Sequence, residues 1–529
     1  MPGSQSLLVS LATIAGVAAG LQVWSRRKGS LPTSPKWYPI IGNLLSMPQN
    51  NEHIGFIELG KQLNADMFSL EIFGTVIIVL NSFDDAINLL EKRGGIYSDR
   101  AVPPMISEPS LFYWPEFIGA LRYNDRWKKT RRLIHPWLHK KASESFHNSQ
   151  QEQARLLLQR LSRSCGKIDS EWLYGEFFFA LAGTLMHSIY GYKLESMQDP
   201  FVTEAHKAVD RISQAAMPTN FLVNLFPSLV YVPEWFPGAG WKRTARQWRE
   251  QQRRVIRESF DWTKTRIASG NHESCIIASL LTHAEQLGLE ADEVDDYTSQ
   301  IAMTLFGGGT ETTANVFLVF VLEMIFYPEA QAKAQEEIDR VIPRSRLPVM
   351  EDREHLPYIN RLIKEVLRWR PVVPTGLAGV IDSSGIRSLT YLLGIPHACF
   401  QDDIYQGFAI PKGAMVIGNI WAMSRDEKVY PDSENFNPDR FLDPSVPDCP
   451  VFGFGRRECP GLHFAEASVF IIIASLLSVF KFEVGQDENG QDCLPDLASR
   501  NSVIYHPKPF KLRMALRSAY HDELVSAVI

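Results

Sequence analysis

The sequence lacks several features that mark common classes of protein. Its 529 residues carry a formal net charge of -6, which argues against a nucleic-acid-binding protein. The six cysteines are scattered without a CxxC pair, unlike a disulfide framework or a zinc site, so a reducing compartment is the simpler interpretation. We find no repeat of solenoid length and no low-complexity linker that would divide the chain.

The N-terminus differs in character from the rest of the chain. Leu7–Trp24 is 18 residues long and uncharged, and the basic cluster SRRK follows at once. This order predicts an uncleaved membrane anchor over residues 1–28 with the remainder in the cytosol, because positive charge collects on the cytosolic side. A cleaved signal peptide is the alternative, but its basic residues would precede the apolar run. Prolines at 32, 35 and 39 predict a stiff hinge over residues 29–40.

Hydrophobic periodicity predicts a mainly helical fold with a minor β-sheet region over residues 41–520. Two β-rich runs, 67–74 and 75–81, come first. The longest predicted helix runs from Asp292 to Phe326, and another begins at Pro328. Further amphipathic helices are predicted at Asp84–Arg93, Asn124–Leu138, Ser145–Arg163, Thr203–Ala216 and Trp241–Ala268.

The stretch FGFGRRECPG places one cysteine, Cys459, among three glycines and ahead of a long apolar run. Pro460 suits the first position of a helix, so a helix is predicted to begin there. Cys459 would then lie at the positive end of the helix dipole, which favours a thiolate. A thiolate held in place is a nucleophile or a metal ligand, and this stretch alone does not decide between them.

A second motif, FGGGTETTAN, lies inside the longest predicted helix. Three consecutive glycines in a helix lower its stability by roughly 1 kcal/mol each relative to alanine, so another requirement must favour them. One interpretation is close approach of a ligand to the backbone, and the other is a tight helix crossing. Glu311 and Thr312 follow directly and could pass protons into a buried pocket.

Three weaker charge motifs complete the set. Glu365 and Arg368 share a helix face at i and i+3, and Arg440 in the run NFNPDRF is a candidate third member of a buried charge network. Trp127 and Arg131 share a face of another helix, where an indole N–H and a guanidinium could both bind a carboxylate. Each motif alone is also compatible with a solvated helix face or a packed core residue.

The chain resembles the cytochromes P450 along nearly its whole length after the anchor. The resemblance rests on the order of the motifs along the chain, which is the anchor, WxxxR, GGTETT, ExxR, NPDRF and FGxGxRxCxG. The resemblance implies the P450 fold, with Cys459 as the thiolate ligand of the iron of haem b and Glu311 and Thr312 as the residues that deliver protons. The other cofactor-binding residues that it implies are Trp127, Arg131, His397, Phe452, Arg457 and Gly461.

The implied reaction is monooxygenation of a hydrophobic organic substrate with O2. Since no flavin or nicotinamide motif is present, electrons would come from NADPH through NADPH-cytochrome P450 reductase, with cytochrome b5 as a further partner. A basic helix face (Lys128, Lys129, Arg132, Lys140 and Lys141) could steer such a partner. The resemblance is to fungal membrane-bound members of secondary metabolism or xenobiotic oxidation, which implies a single-pass protein of the endoplasmic reticulum membrane.

Two other functions stay open at this stage. A haem-thiolate isomerase or dehydratase needs no O2, and an inactive haem-binding product is the other alternative. The aromatic loop from Val102 to Gly119, with Phe112, Tyr113, Trp114 and Phe117, is predicted to roof an apolar pocket.

One segment departs from the family pattern. Between RPVVPTG and IPHACFQDD lie 18 residues, 377–394, for which the resemblance leaves no room. We interpret this segment as a translated, unspliced intron, because a buried strand region absorbs added length poorly. A lineage-specific surface loop is the alternative, and the sequence of the mature transcript distinguishes the two.

Overall fold

The architecture is mainly helical with a minor β component, as predicted. The computed structural model describes residues 31–48, 50–217, 220–284, 289–375, 396–486, 489–500 and 504–526. The predicted anchor (1–28) and the segment 377–394 lie outside these residues, and both stay predictions.

Twelve helices of eight or more residues lie in the described part of the chain, and most predicted helix positions agree with them to within three residues. They are α1 (Glu52–Leu63), α2 (Asp125–Leu138), α3 (His147–Ser162), α4 (Ser170–Tyr190), α5 (Pro200–Ala216), α6 (Gly240–Ala268), α7 (Ile276–Ala284), α8 (Ala291–Phe326), α9 (Pro328–Val341), α10 (Pro357–Trp369), α11 (Leu462–Val479) and α12 (Ala519–Ser526). Shorter helical turns lie at Phe83–Ala86, Ile87–Lys92, Gly94–Tyr97, Pro104–Ser107, Lys140–Ser143 and Ile420–Met423.

The strands form a five-stranded sheet of order β1-β2-β8-β5-β3, a four-stranded sheet of order β10-β9-β13-β4, and two paired ribbons, β6-β7 and β11-β12. Their bounds are β1 (Met67–Ile72), β2 (Thr75–Leu80), β3 (Asp99–Arg100), β4 (Gly166–Asp169), β5 (His397–Ala398), β6 (Asp403–Tyr405), β7 (Phe408–Ile410), β8 (Met415–Gly418), β9 (Phe480–Gln486), β10 (Asp492–Cys493), β11 (Ser499–Arg500), β12 (His506–Pro507) and β13 (Lys511–Leu516). In the first sheet, antiparallel pairing sets Arg100 opposite His397.

Helices α8 and α11 form the centre of the protein. Both are long and apolar enough to cross a membrane, but 72% and 78% of their most apolar windows are buried inside the fold. Their apolar residues therefore serve the core, where Phe317 and Phe320 of α8 pack in one cluster with Phe470 of α11.

The Glu365 network is a buried ion cluster beneath this core. Glu365 and Arg368 have no exposed side-chain surface, and Arg368 Nε donates to Glu365 Oε2 at 2.7 Å. Arg440 Nε lies 3.1 Å from both oxygens of the same carboxylate, and the backbone N–H of Asn437 donates at 2.7 Å. The prediction that Arg440 completes this network is confirmed, and the network ties α10 to the loop that precedes the Cys459 segment.

Candidate active site

The Cys459 loop is built by backbone contacts that require glycine. The Cys459 N–H donates to the carbonyl oxygen of Phe452 at 2.8 Å, which closes the loop. Gly453 and Gly455 have φ of +83° and +51°, a conformation that other residues rarely adopt. A Cβ on Gly455 would lie 2.7 Å from the carbonyl oxygen of Leu90.

The helix after this loop starts later than predicted. Helix α11 begins at Leu462 with Gly461 as its N-cap, so Pro460 is not its first residue, and that prediction is wrong. The backbone turns at Pro460 and Gly461 before it becomes helical, and the carbonyl oxygen of Cys459 accepts from the Leu462 N–H. Cys459 still lies next to the helix N-terminus.

The surroundings of Cys459 argue for a metal ligand and against a free nucleophile. Burial raises the pKa of the Cys459 thiol, while the backbone N–H of Gly461 and the guanidinium of Arg131 act in the opposite direction. A buried thiol whose pKa is raised carries little thiolate at neutral pH. A bound metal cation, which deprotonates a coordinating thiol outright, is what would make it a thiolate here.

A group of cationic side chains lies beside Cys459. Arg131 Nη1 donates to the carbonyl oxygen of Glu458 at 3.0 Å, and the Arg131 and Arg457 guanidiniums lie 5.9 and 4.7 Å from the centre of the Trp127 ring. Arg457 is anchored to the carbonyl oxygens of Ser98 and Leu121 at 2.7 and 2.8 Å. The structure thus brings Trp127, Arg131 and Arg457 together.

Arg100 belongs to the same group, and sequence reasoning missed it. Burial lowers the pKa of its guanidinium to about 10. His397, opposite it on β5, donates through Nδ1 to the carbonyl oxygen of Tyr97 at 2.7 Å, and burial and the Arg100 charge lower its pKa. Nothing in the run IYSDR distinguishes Arg100 from a surface charge, because its burial follows from pairing with a strand 300 residues away.

The guanidiniums of Arg100, Arg131 and Arg457, together with the His397 ring, whose lowered pKa leaves it neutral, are here called the cation cluster. The carboxylate beside Arg100 and Arg457 is Asp99, and it is already bound by Arg122 at 2.7 Å and by the Tyr123 N–H at 2.9 Å. Guanidiniums bind carboxylates through charge-assisted hydrogen bonds. The cation cluster therefore fits a ligand that carries carboxylates.

The three consecutive glycines of α8 differ in what lies next to them. A Cβ on Gly307 would lie 2.5 Å from Val209 Cγ2 of α5, and one on Gly309 would lie 2.8 Å from Leu185 Cδ1 of α4. A Cβ on Gly308 would meet nothing within 4 Å. Both interpretations of the motif hold, because two glycines permit helix crossings and the third leaves space beside the helix.

Glu311 and Thr312 lie on different sides of α8. The Thr312 hydroxyl donates to the carbonyl oxygen of Gly308 at 2.7 Å, on the side where Gly308 leaves open space. Glu311 points toward α5, where its Oε1 lies 3.7 Å from His206 Nδ1. Burial, with a smaller contribution from Asp210, raises the pKa of Glu311 to about 7. A carboxyl with that pKa can both give and take a proton near neutral pH.

The family profile of the cytochromes P450 matches residues 32–382 and 386–514. The chain belongs to the cytochrome P450 family. It is 35% identical to a cytochrome P450 monooxygenase of Armillaria gallica, with 96% of this chain and 97% of that protein covered. It is 32% identical to the tryptamine 4-monooxygenase of Psilocybe cyanescens, with 97% and 98% covered.

Solved structures agree on the fold of this P450. A solved structure of a zebra fish cytochrome P450 with progesterone superposes with a TM-score of 0.70 at 24% identity, and the match covers 88% of this chain and 99% of that one. The break in the family match, residues 383–385, falls inside the segment 377–394.

Haem, the prosthetic group of this family, fits the residues described above. Its two propionates would supply carboxylates for the guanidiniums of the cation cluster, and its iron would supply the cation that makes the Cys459 thiol a thiolate. This P450 is a haem-thiolate monooxygenase that uses O2 and electrons from a redox partner. The part that each named side chain takes in binding is a proposal.

The predicted aromatic roof is correct only in part. Phe112 and Trp114 have no exposed surface, so they do not line an open cavity as predicted. They pack in the core, where Trp114 Nε1 donates to Gln300 Oε1 of α8 at 2.7 Å. Tyr113 and Phe117 are half-buried and stay available to a pocket.

Replacing Gly307 by alanine is expected to destabilise this P450, whereas replacing Gly308 is not. The new Cβ at 307 meets the stiff, β-branched Val209, and overpacking of this kind lowers the free energy of unfolding by about 1–3 kcal/mol. Alanine at 308 has space and improves helix propensity by up to about 1 kcal/mol. Thermal unfolding of both variants checks this, and Val209→Ala should restore stability to Gly307→Ala. Equal stability of the two variants would contradict the crossing.

Proposed function

We propose that this P450 inserts one oxygen atom of O2 into a hydrophobic organic substrate with electrons from NADPH, delivered by NADPH-cytochrome P450 reductase. The observation that carries the proposal is the position of the Cys459 thiol beside the guanidiniums of Arg131 and Arg457, which places a possible metal ligand next to two cationic groups. We further propose that it acts in fungal secondary metabolism or xenobiotic oxidation, as a single-pass protein of the endoplasmic reticulum membrane.

In this proposal the chain holds haem b from two sides. Cys459 ligates the iron, with Phe452 beside it, and the Gly461 N–H that points at the sulfur moderates how strongly the thiolate donates. Trp127, Arg131, His397, Arg457 and Arg100 bind the propionates. When bound, the haem supplies the activation of O2, and a thiolate ligand favours O–O cleavage.

We propose that Glu311 and Thr312 deliver protons from the α8 side of the pocket, with Glu311 as the source and Thr312 as the group that aligns the donor. The Thr312 hydroxyl gives its own hydrogen to Gly308, so its oxygen keeps lone pairs that can accept and align a donor in the cavity. The Glu311 carboxyl, with a pKa of about 7, returns a proton to that donor.

Activity is expected to depend on pH through Glu311. Proton donation requires the acid form of its carboxyl, so product formation is expected to fall as the pH rises through about 7.

The basic face predicted to bind a redox partner is partly neutralised by the protein itself. Lys128 lies 3.1 Å from Asp125, and Lys129 lies 3.8 Å from Glu293 of α8. Arg132, Lys140 and Lys141 are exposed and carry the remaining charge. These three residues are the part of the face that we propose for reductase docking, with cytochrome b5 as a second partner for it.

Replacing Thr312 by alanine tests this proposal. The variant should keep its haem and consume NADPH, but product per NADPH should fall by at least about tenfold with release of hydrogen peroxide, because it loses the oxygen that aligns the donor and positioned proton transfer contributes about 10²-fold or more. Thr312→Ser keeps the hydroxyl and is the matched control. Product, NADPH and peroxide are measured together with reductase present. An isomerase or dehydratase would instead turn over without O2, and unchanged coupling in Thr312→Ala would contradict the proton role.

A further inference from the structure

His206 on α5 lies at the outer side of Glu311. Its Nδ1 is buried, has no hydrogen-bond partner among the residues that the structure describes, and lies 3.7 Å from Glu311 Oε1. The rest of the ring reaches solvent, since 42% of the side chain is exposed, compared with 19% for Glu311. His206 thus directs one ring nitrogen, Nδ1, toward the Glu311 carboxylate, while the rest of its ring is in contact with solvent.

The helix crossing explains why these two residues meet. Helices α5 and α8 are in contact where Val209 packs on Gly307. His206 precedes Val209 by three residues, and Glu311 follows Gly307 by four, so each lies one turn from the crossing. The His206 ring is held there by an edge contact with Phe178 of α4, with ring centroids 4.8 Å apart.

We infer that His206 is a proton-relay residue that carries protons from solvent to Glu311. The inference rests on the proposed role of Glu311 and Thr312. In one transfer Glu311 starts as the carboxylate, and Nε2 of a neutral ring that carries its hydrogen on Nδ1 accepts a proton from a hydronium ion, which leaves water. The Nδ1 hydrogen then passes to Glu311 Oε1. The ring ends neutral with its hydrogen on Nε2, and the carboxyl ends protonated.

The other groups around Glu311 are compatible with this role. Burial raises the pKa of Glu311 and lowers that of His206, while Asp210 on α5 raises both. Burial thus strengthens proton binding at Glu311 and weakens it at His206, which favours transfer of a proton from the ring to the carboxylate. Tyr174 on α4 stays protonated, since burial and the Glu311 charge raise its pKa, and it packs against the His506 ring of β12.

Replacement of His206 by phenylalanine keeps the contact with Phe178 and removes both nitrogens. We expect turnover to fall by about tenfold, less than for a direct donor, with a larger solvent isotope effect and partial recovery on addition of imidazole. His187→Phe is the matched control. The His187 side chain is similarly exposed, at 37%, and its Nε2 lies 2.6 Å from Glu273 Oε2, so it pairs with a different carboxylate. Unchanged turnover in His206→Phe, or an equal loss in His187→Phe, would overturn the inference.

A second measurement does not depend on turnover. Two groups that share a proton titrate as a pair, in two steps. The His206 ring, followed by NMR in the diamagnetic ferrous carbon monoxide complex, should titrate in two steps, and Glu311→Gln should leave a single step. An unchanged titration curve in Glu311→Gln would overturn the inference. If Thr312→Ala forms as much product per NADPH as the unmodified protein, the proposed function fails. If Thr312→Ala loses product but His206→Phe keeps full turnover, only the inference about His206 fails.

Discussion

Replacing Cys459 by serine is expected to abolish substrate oxidation and the carbon monoxide spectrum typical of thiolate-ligated haem. A serine hydroxyl does not ionise near neutral pH and does not donate charge to iron as a thiolate does. Haem content is expected to fall as well, although the cation cluster should still bind propionates. The reduced carbon monoxide difference spectrum and product formation with reductase measure the two effects.

No other cysteine is placed to substitute for Cys459. All six cysteines lie in the described residues and are free, but Cys449 is buried in a separate apolar cluster and Cys399 Sγ donates to the carbonyl oxygen of Gln401. The exposed Cys493 offers a matched control, since Cys493→Ser should leave spectrum and activity unchanged. Monooxygenation retained in Cys459→Ser would disprove the ligand assignment.

Replacing Glu365 by glutamine is expected to produce the largest loss of stability. Glutamine keeps the shape of the side chain, but it leaves the guanidiniums of Arg368 and Arg440 buried without an anion. Removing one member of a buried ion pair lowers the free energy of unfolding by about 3–5 kcal/mol. We expect little soluble, haem-loaded protein, and a strongly lowered denaturation temperature for the fraction that folds.

The adjacent residue on α10 supplies a control for this prediction. Lys364 pairs with Asp448 at 2.8 Å, and the two side chains are 45% and 66% exposed. An exposed pair contributes about 0–1 kcal/mol to stability, so the denaturation temperature of Lys364→Ala should lie close to that of the unmodified protein. If Glu365→Gln were as stable as Lys364→Ala, the ion cluster would not be needed for the fold.

Helix prediction succeeded where one face of the helix is buried. Helix α2 is an example, since its amphipathic pattern and its cap, Asn124, which accepts from the Trp127 N–H at 3.0 Å, are both visible in the sequence. Helix α4 was not predicted, because apolar residues cover most of its faces and hide the helical period. The helix predicted at Asp84–Arg93 widens into a π-helix over Ile87–Lys92, and no pattern in the sequence of this segment indicates that change.

The sequence by itself determined the family, the mainly helical class and the backbone of the Cys459 loop. These depend on local features, such as glycines at positive φ and motifs read along one segment. Only the tertiary structure decided which side of α8 carries Thr312 and which carries Glu311, and that Phe112 and Trp114 fill the core. It also decided that Arg100 joins His397, whose ring bonds a carbonyl 300 residues earlier in the chain. Burial and charge pairing arise from contacts between distant segments, and they set the pKa of Glu311 and bring the guanidiniums of the cation cluster together.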